Sequence, residues 1–241
     1  MERKGAENKM GITETWMRKH DLLFIAATRN PFTQAIRDAT LHLSSFKNWL
    51  GQEYWLGKRA FVPFLSTLLE KARHESDGTN DIVQVIQTGI GLQNDNIKQI
   101  KQEAEKLDVS LESVVPYQPT IDYSNLLDSL TTPEFNDDHY TGAAVSILWA
   151  TATVYHRTFA HCLSQDSKTP EEMKEACRKW GGDAQRDYCL SLQTTADAAL
   201  EKAPRDVIVK AEVALLQFLE ISVQFWNVVV NQRCIMQPNA S

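Results

Sequence analysis

Apolar residues recur every three or four positions along almost the whole chain, and no segment alternates apolar and polar residues over strand length. The pattern predicts an all-α fold. Ile12 to Arg29 reads as a first helix, ended by the Asn30-Pro31 step because a residue before proline avoids helical angles. Phe32 to Asp38 follows as a short helix. Ser44 or Ser45 is expected to cap a long helix running to Arg73, bent near Pro63 where one backbone bond is lost. Asn80-Asp81 starts another, interrupted around Gly89 to Gly91 and continuing to Leu107. Pro116 to Pro119 reads as a loop, Ile121 to Leu130 as a short helix, and Pro133 to Asp138 as an acidic loop before a long helix from Tyr140 to Ser164. Thr169-Pro170-Glu171-Glu172 is a helix start, with threonine at the cap and acids at the positive helix end, and Gly181-Gly182 stops that helix. Asp183 to Lys202 and Pro204 to Gln232 complete a bundle of eight or nine helices.

Three helical faces carry a polar residue where the periodicity expects an apolar one. In the stripe Phe46, Leu50, Glu53, Gly57, Phe61, Phe64 and Leu68, a carboxylate occupies the centre. A buried acid needs a partner, so Glu53 is either half of a structural ion pair with a Lys or Arg of a neighbouring helix, or a pocket acid that holds a basic nitrogen of a ligand. In the last helix Ser222 interrupts Ile208, Ala211, Leu215, Phe218, Phe225 and Val229. It either bonds back to the carbonyl of Phe218, as serine commonly does in helices, or faces a cavity. Thr151 and Tyr155, one turn apart on the stripe Ala144, Leu148, Phe159 and Cys162, present two hydroxyls on one side, for packing or for a site.

Composition narrows the chemistry. The chain has 241 residues, 43% of them hydrophobic, enough for one domain to bury about 70% of its unfolded surface without staples. A formal charge of −6 argues against nucleic acid or anionic lipid as the main partner. No apolar run approaches the ~20 uninterrupted residues of a membrane span, and the polar start Met1 to Met10 is neither a secretory nor a transit signal, so a cytoplasmic location is expected. Cys162, Cys177, Cys189 and Cys234 lack CxxC spacing and are expected as reduced thiols. His156 and His161 are five apart, which suits no helical metal pair. Asp137-Asp138-His139 is better explained by capping, and Gly89-Ile90-Gly91 follows no strand that would make it a phosphate loop.

The order and spacing of several blocks carry a resemblance over nearly the whole chain. They are Ala27-Thr28-Arg29 with Phe32, Leu43-Ser44-Ser45-Phe46 leading into Trp49-Leu50-Gly51-Gln52-Glu53-Tyr54, and Phe61-Val62-Pro63-Phe64. Val154-Tyr155 with Phe159-Ala160-His161-Cys162 comes next, then Trp180-Gly181 with Asp183 and Tyr188-Cys189, and finally Phe225-Trp226. In these blocks the sequence resembles the TenA-like (thiaminase II) family, particularly its plant-type members. The resemblance implies one haem-oxygenase-like helical domain over residues 1–241, no haem or other cofactor, and a homo-oligomer; residues 1–10 are expected to be disordered, and the spacings above point to no metal. It also implies a closed pocket for a small flat nitrogen heterocycle, of the kind salvaged as the aminopyrimidine part of thiamine.

Carried over residue by residue, the resemblance assigns Glu53, Thr151 and Ser222 to catalytic positions and Tyr54, Tyr155, Trp180, Tyr188 and Trp226 to substrate binding. Each catalytic position departs from the family pattern. Glu53 stands where aspartate is usual, Thr151-Ala152 where bacterial members have cysteine and plant-type members glutamate, and Ser222 where the family has its proton-donating glutamate. Neither Thr151 nor Ser222 can act as a carboxylic acid. Three readings follow: a salvage hydrolase using other groups, a rewired enzyme acting on a cationic amine or iminium heterocycle, or a ligand-binding protein without chemistry.

Overall fold

The computed structural model describes residues 10–75, 80–132 and 140–231, and among them every regular element is a helix. The chain order is α1 (Ile12–Lys19), α2 (Asp21–Thr28), α3 (Pro31–Arg37), α4 (Leu43–Leu56), a π-turn (Gly57–Phe61), α5 (Val62–Glu75), α6 (Asn80–Lys106) and α7 (Gln118–Ser129). Then come α8 (Tyr140–Ala160), a 3₁₀ turn (His161–Leu163), α9 (Glu171–Gly181), α10 (Asp183–Leu200) and α11 (Arg205–Asn231). α8 is the central rod, packed against α9, α10 and α11, while α4, the π-turn and α5 lie against α6 and α7.

Local chemistry explains most departures from the predicted boundaries. The expected single helix from Ile12 to Arg29 breaks at His20, whose backbone leaves helical angles while its ring bonds Glu212 of α11 at 2.7 Å. The predicted interruption at Gly89 to Gly91 is absent, and α6 runs unbroken. Gly89 instead gives room to Tyr188, whose hydroxyl oxygen would stand 2.3 Å from a Cβ at that position. α4 begins at Leu43 with His42 at its cap, so neither Ser44 nor Ser45 caps it; the Ser45 hydroxyl donates to the carbonyl of Val230. Thr169 does not cap α9 either: Pro170 holds that place, and the Thr169 hydroxyl donates to the carbonyl of Cys162. α7 begins at Gln118, inside the expected Pro116–Pro119 loop, and α8 passes into the 3₁₀ turn after Ala160. The acidic loop Pro133–Asp138 and the Asp137-Asp138-His139 group lie outside the described residues, as does Cys234.

The expected bend near Pro63 takes the form of the π-turn. Proline removes one helical N–H and crowds the carbonyl four residues back, and widening the preceding turn relieves both. The N–H of Val62 accordingly donates to the carbonyl of Gly57. All three polar-interrupted stripes face inward: Glu53, Thr151 and Ser222 are each buried among apolar neighbours. By length and composition alone α11 could cross a bilayer, but Ala211, Leu215, Phe218, Phe225 and Val229 are part of the bundle core.

The Gly181-Gly182 pair does more than end α9. A Cβ on Gly181 would lie 2.3 Å from the backbone nitrogen of Ala160 and 2.5 Å from the carbonyl carbon of Phe159, so only glycine lets α9 press against the end of α8. Backbone cannot swing aside as a side chain would. Gly181→Ala should therefore lower unfolding free energy by about 3 kcal/mol, at the upper end of overpacking costs, whereas Gly91→Ala, which lies inside α6 and meets nothing, should raise it by about 0.5–1 kcal/mol. Urea unfolding of the two variants checks this.

Candidate functional site

Glu53 sits in the last turns of α4, where the stripe that buries Phe46 and Leu50 carries it into the core. Its side chain is the one Asp, Glu, Lys, Arg or His among the buried described residues. The ion-pair reading fails there, since no Lys or Arg among the described residues pairs with it. Its partner is Tyr155, whose hydroxyl donates to Oε1 at 2.5 Å. Loss of water disfavours the charged carboxylate and raises its pKa from 4.5 to about 7, while the Tyr155 bond opposes the rise. The Trp49 indole N–H also opposes it, from close by, although its nitrogen is buried without a partner in full hydrogen-bond geometry. Near neutral pH this carboxyl is therefore divided between its two protonation states.

An aromatic layer surrounds the pair. The ring of Tyr155 lies 5.1 Å from Trp180, 5.5 Å from Trp226 and 6.3 Å from Phe159. Trp49 and Trp226 both pack on Phe32, and both leave their indole nitrogens buried and without a partner. Buried donors of this kind normally have one. Trp180 arrives because it precedes Gly181, the point where α9 presses on α8. Four of the expected residues thus come together in one layer: Glu53, Tyr155, Trp180 and Trp226.

The others are placed differently. The Thr151 hydroxyl is engaged with Tyr123 of α7 at 2.8 Å, and the charge of Glu53 helps raise the Tyr123 pKa well above the usual tyrosine range, after burial itself. Ser222 donates to the carbonyl of Phe218 at 2.8 Å, the local helical bond open to it in the sequence. Tyr54, next in sequence to Glu53 but about 100° around the helix, turns to α6, with Lys58 and Lys101 over its ring at 5.5 and 5.8 Å. Tyr188 donates to the carbonyl of Val85 and lines a half-open groove of about 930 Å³ between α6 and α10, a groove to which Glu53 does not contribute. The sequence reading missed Tyr123 and Trp49. Trp49 stands four residues before Glu53, on the same helical side, and that spacing was a signal; Tyr123 reaches the site only through tertiary packing.

A pH dependence follows from Glu53. Its folded-state pKa is raised, so the native state binds this proton more tightly than the unfolded chain. The resulting stability is fully present below the unfolded value of 4.5 and is lost as pH rises through about 7. The span corresponds to about 3 kcal/mol. Unfolding free energy measured at pH 5 and pH 8 should fall by a large part of that amount in the native sequence, and Glu53→Gln should flatten the slope.

Relatives of this chain share its family and its fold. A TENA/THI-4/PQQC family profile matches residues 18–232. A soybean (Glycine max) protein named as a probable bifunctional TENA-E protein is 47% identical over 224 residues, covering 93% of this chain and 95% of its own. A TenA homologue of Pyrococcus furiosus superposes with a TM-score of 0.79 at 15% identity, over 90% of this chain and 99% of that one. A TenA family protein of Silicibacter, described as a transcription regulator, gives 0.74 at 17% identity, over 92% and 97%. The fold is haem-oxygenase-like, as the resemblance implied, and with a family profile over most of its length and a close soybean relative, the chain belongs to the TENA/THI-4/PQQC family.

Proposed function

We propose that this protein is a diverged relative of the thiamine-pyrimidine salvage enzymes, closing its core around a small flat nitrogen heterocycle. The observation that carries the reading is Glu53: a buried carboxyl, half-ionised near neutrality, held by Tyr155 inside a layer of aromatic rings. A group in this state can give a proton to a ring nitrogen or take one from an amino group with little driving force either way, which suits both recognition and general acid–base work. The unpartnered N–H of Trp49 adds a donor beside this acceptor. Together they match a heterocycle edge that carries a donor and an acceptor side by side.

Hydrolysis needs more than this. Releasing an amine takes an activated nucleophile and a proton for the leaving group. Thr151 and Ser222 stand where the resemblance expects those groups, yet their hydroxyls are bonded to Tyr123 and to a backbone carbonyl, and neither is bonded to a base among the described residues. Glu53 is left to serve alone.

A second reading rests on the same layer. Tyr155, Trp180 and Trp226 beside a carboxylate that lacks a buried cation would also receive a cyclic ammonium or iminium ion, by charge pairing and cation–π contact. A thermal-shift comparison of an aminopyrimidine with a cyclic ammonium separates the two, because only the ligand that fits stabilises the fold.

The pure protein should hydrolyse an aminomethylpyrimidine about two to four orders of magnitude more slowly than a relative that carries both acids, measured as ammonia release. Glu53→Gln keeps the shape and removes the basicity, so any turnover should fall by about a further two orders at saturating substrate. Fast turnover by the native sequence, or turnover unchanged in Glu53→Gln, contradicts the reading.

A further inference from the structure

Gln52, adjacent to Glu53, is buried and uses its amide on a different element. Its Oε1 accepts from the backbone N–H of Tyr117 at 2.9 Å and from the hydroxyl of Thr120 at 2.6 Å. Its Nε2 donates to the carbonyl of Val115 at 3.0 Å. The two backbone partners leave no choice of amide orientation, since an N–H only donates and a carbonyl only accepts.

Tyr117 is the N-cap residue of α7, and its own side chain makes no capping bond. Oxygen from α4 thus does from outside the helix what a cap does from within, accepting from an N–H at the N-terminus that the helix itself does not use. Gly51 reinforces the same contact: a Cβ there would stand 2.9 Å from Val114, so the segment before α7 lies directly on α4. Tyr123 follows Thr120 by three positions, which places both on one face of α7, a turn apart. Tyr123 then meets Thr151 at 2.8 Å and the ring of Phe61, in the π-turn, at 5.5 Å.

We propose that Gln52 is a positioning residue for the site: by capping α7 from α4 it fixes where the Tyr123 hydroxyl and its Thr151 partner stand opposite Glu53, and keeps water from that side. The inference rests on the reading of Glu53 as the acid of the site. α4 then serves two tasks with consecutive residues, one presenting the acid and the next holding the wall that faces it. Helical geometry requires the division, because neighbours in sequence point about 100° apart.

The test separates positioning from simple support. In Gln52→Leu the volume is kept and the three bonds are lost; Thr120→Val, which removes one bond at constant shape, carries the same measurement should the first variant fail to fold. The Glu53 carboxyl is followed by carbon NMR of the glutamate-labelled protein against pH, which needs no ligand. Its titration should move down toward the ordinary carboxylate range by about one pH unit or more in Gln52→Leu, as water enters, and less in Thr120→Val. Affinity for an aminopyrimidine should fall in Gln52→Leu and in Tyr123→Phe, and the double variant should be no weaker than the weaker single one. A folded variant with unchanged Glu53 titration, or losses that add in the double variant, overturns the proposal. If the native protein binds no aminopyrimidine, the functional reading fails, and the titration still decides the role of Gln52.

Discussion

The structure depends on keeping one carboxyl group in its core without a cation. Burying Glu53 costs several kcal/mol if it is ionised and unpaired, and a nearby Lys or Arg would have been the direct remedy. Instead the bundle supplies neutral donors, a tyrosine hydroxyl in contact and an indole N–H close by, and lets the pKa rise to about 7. Such an arrangement stabilises neither protonation state decisively. A group poised in this way suits the proton exchange with a ligand that is proposed for it.

The surrounding architecture follows from that requirement. Neutral donors are weaker than charged ones, so they must be held firmly, and the rings of Phe32, Phe159, Trp180 and Trp226 pack Tyr155 and Trp49 into fixed places. Trp180 is in reach because Gly181 lets two helix backbones approach more closely than any other residue would allow. The π-turn before Pro63 changes the helical phase just beyond Glu53 and brings Phe61 against Tyr123. Ser222 and Thr151, the two residues that the resemblance sets at catalytic positions beside Glu53, spend their hydroxyls on the protein's own hydrogen bonding.

How much of this could be read from the chain divides along a physical line. Helical periodicity is local, so the fold class, the inward orientation of Glu53 and the facing of Thr151 and Tyr155 were legible from spacing. Side-chain caps were expected at Ser44 or Ser45 and at Thr169, but α4 starts one residue earlier, and the hydroxyls of Ser45 and Thr169 reach the carbonyls of Val230 and Cys162 instead. Gly89 looked like a helix breaker and proved to be clearance for Tyr188 on another helix. Tyr54 and Tyr188 were assigned to the pocket by resemblance, yet their rings face α6. Tyr123 and the capping amide of Gln52 were invisible beforehand, since their partners lie 28 and 68 residues away.

The central claim is that ligand chemistry takes place at Glu53 rather than in the groove between α6 and α10. A crystal structure of the protein with an aminopyrimidine bound tests it most directly. The account predicts the heterocycle against Tyr155, Trp180 and Trp226, with its nitrogen edge on the Glu53 carboxyl and the Tyr155 hydroxyl displaced or shared. A ligand seated in the groove beside Tyr188 and Thr194, with the bond between Tyr155 and Glu53 intact, would contradict it.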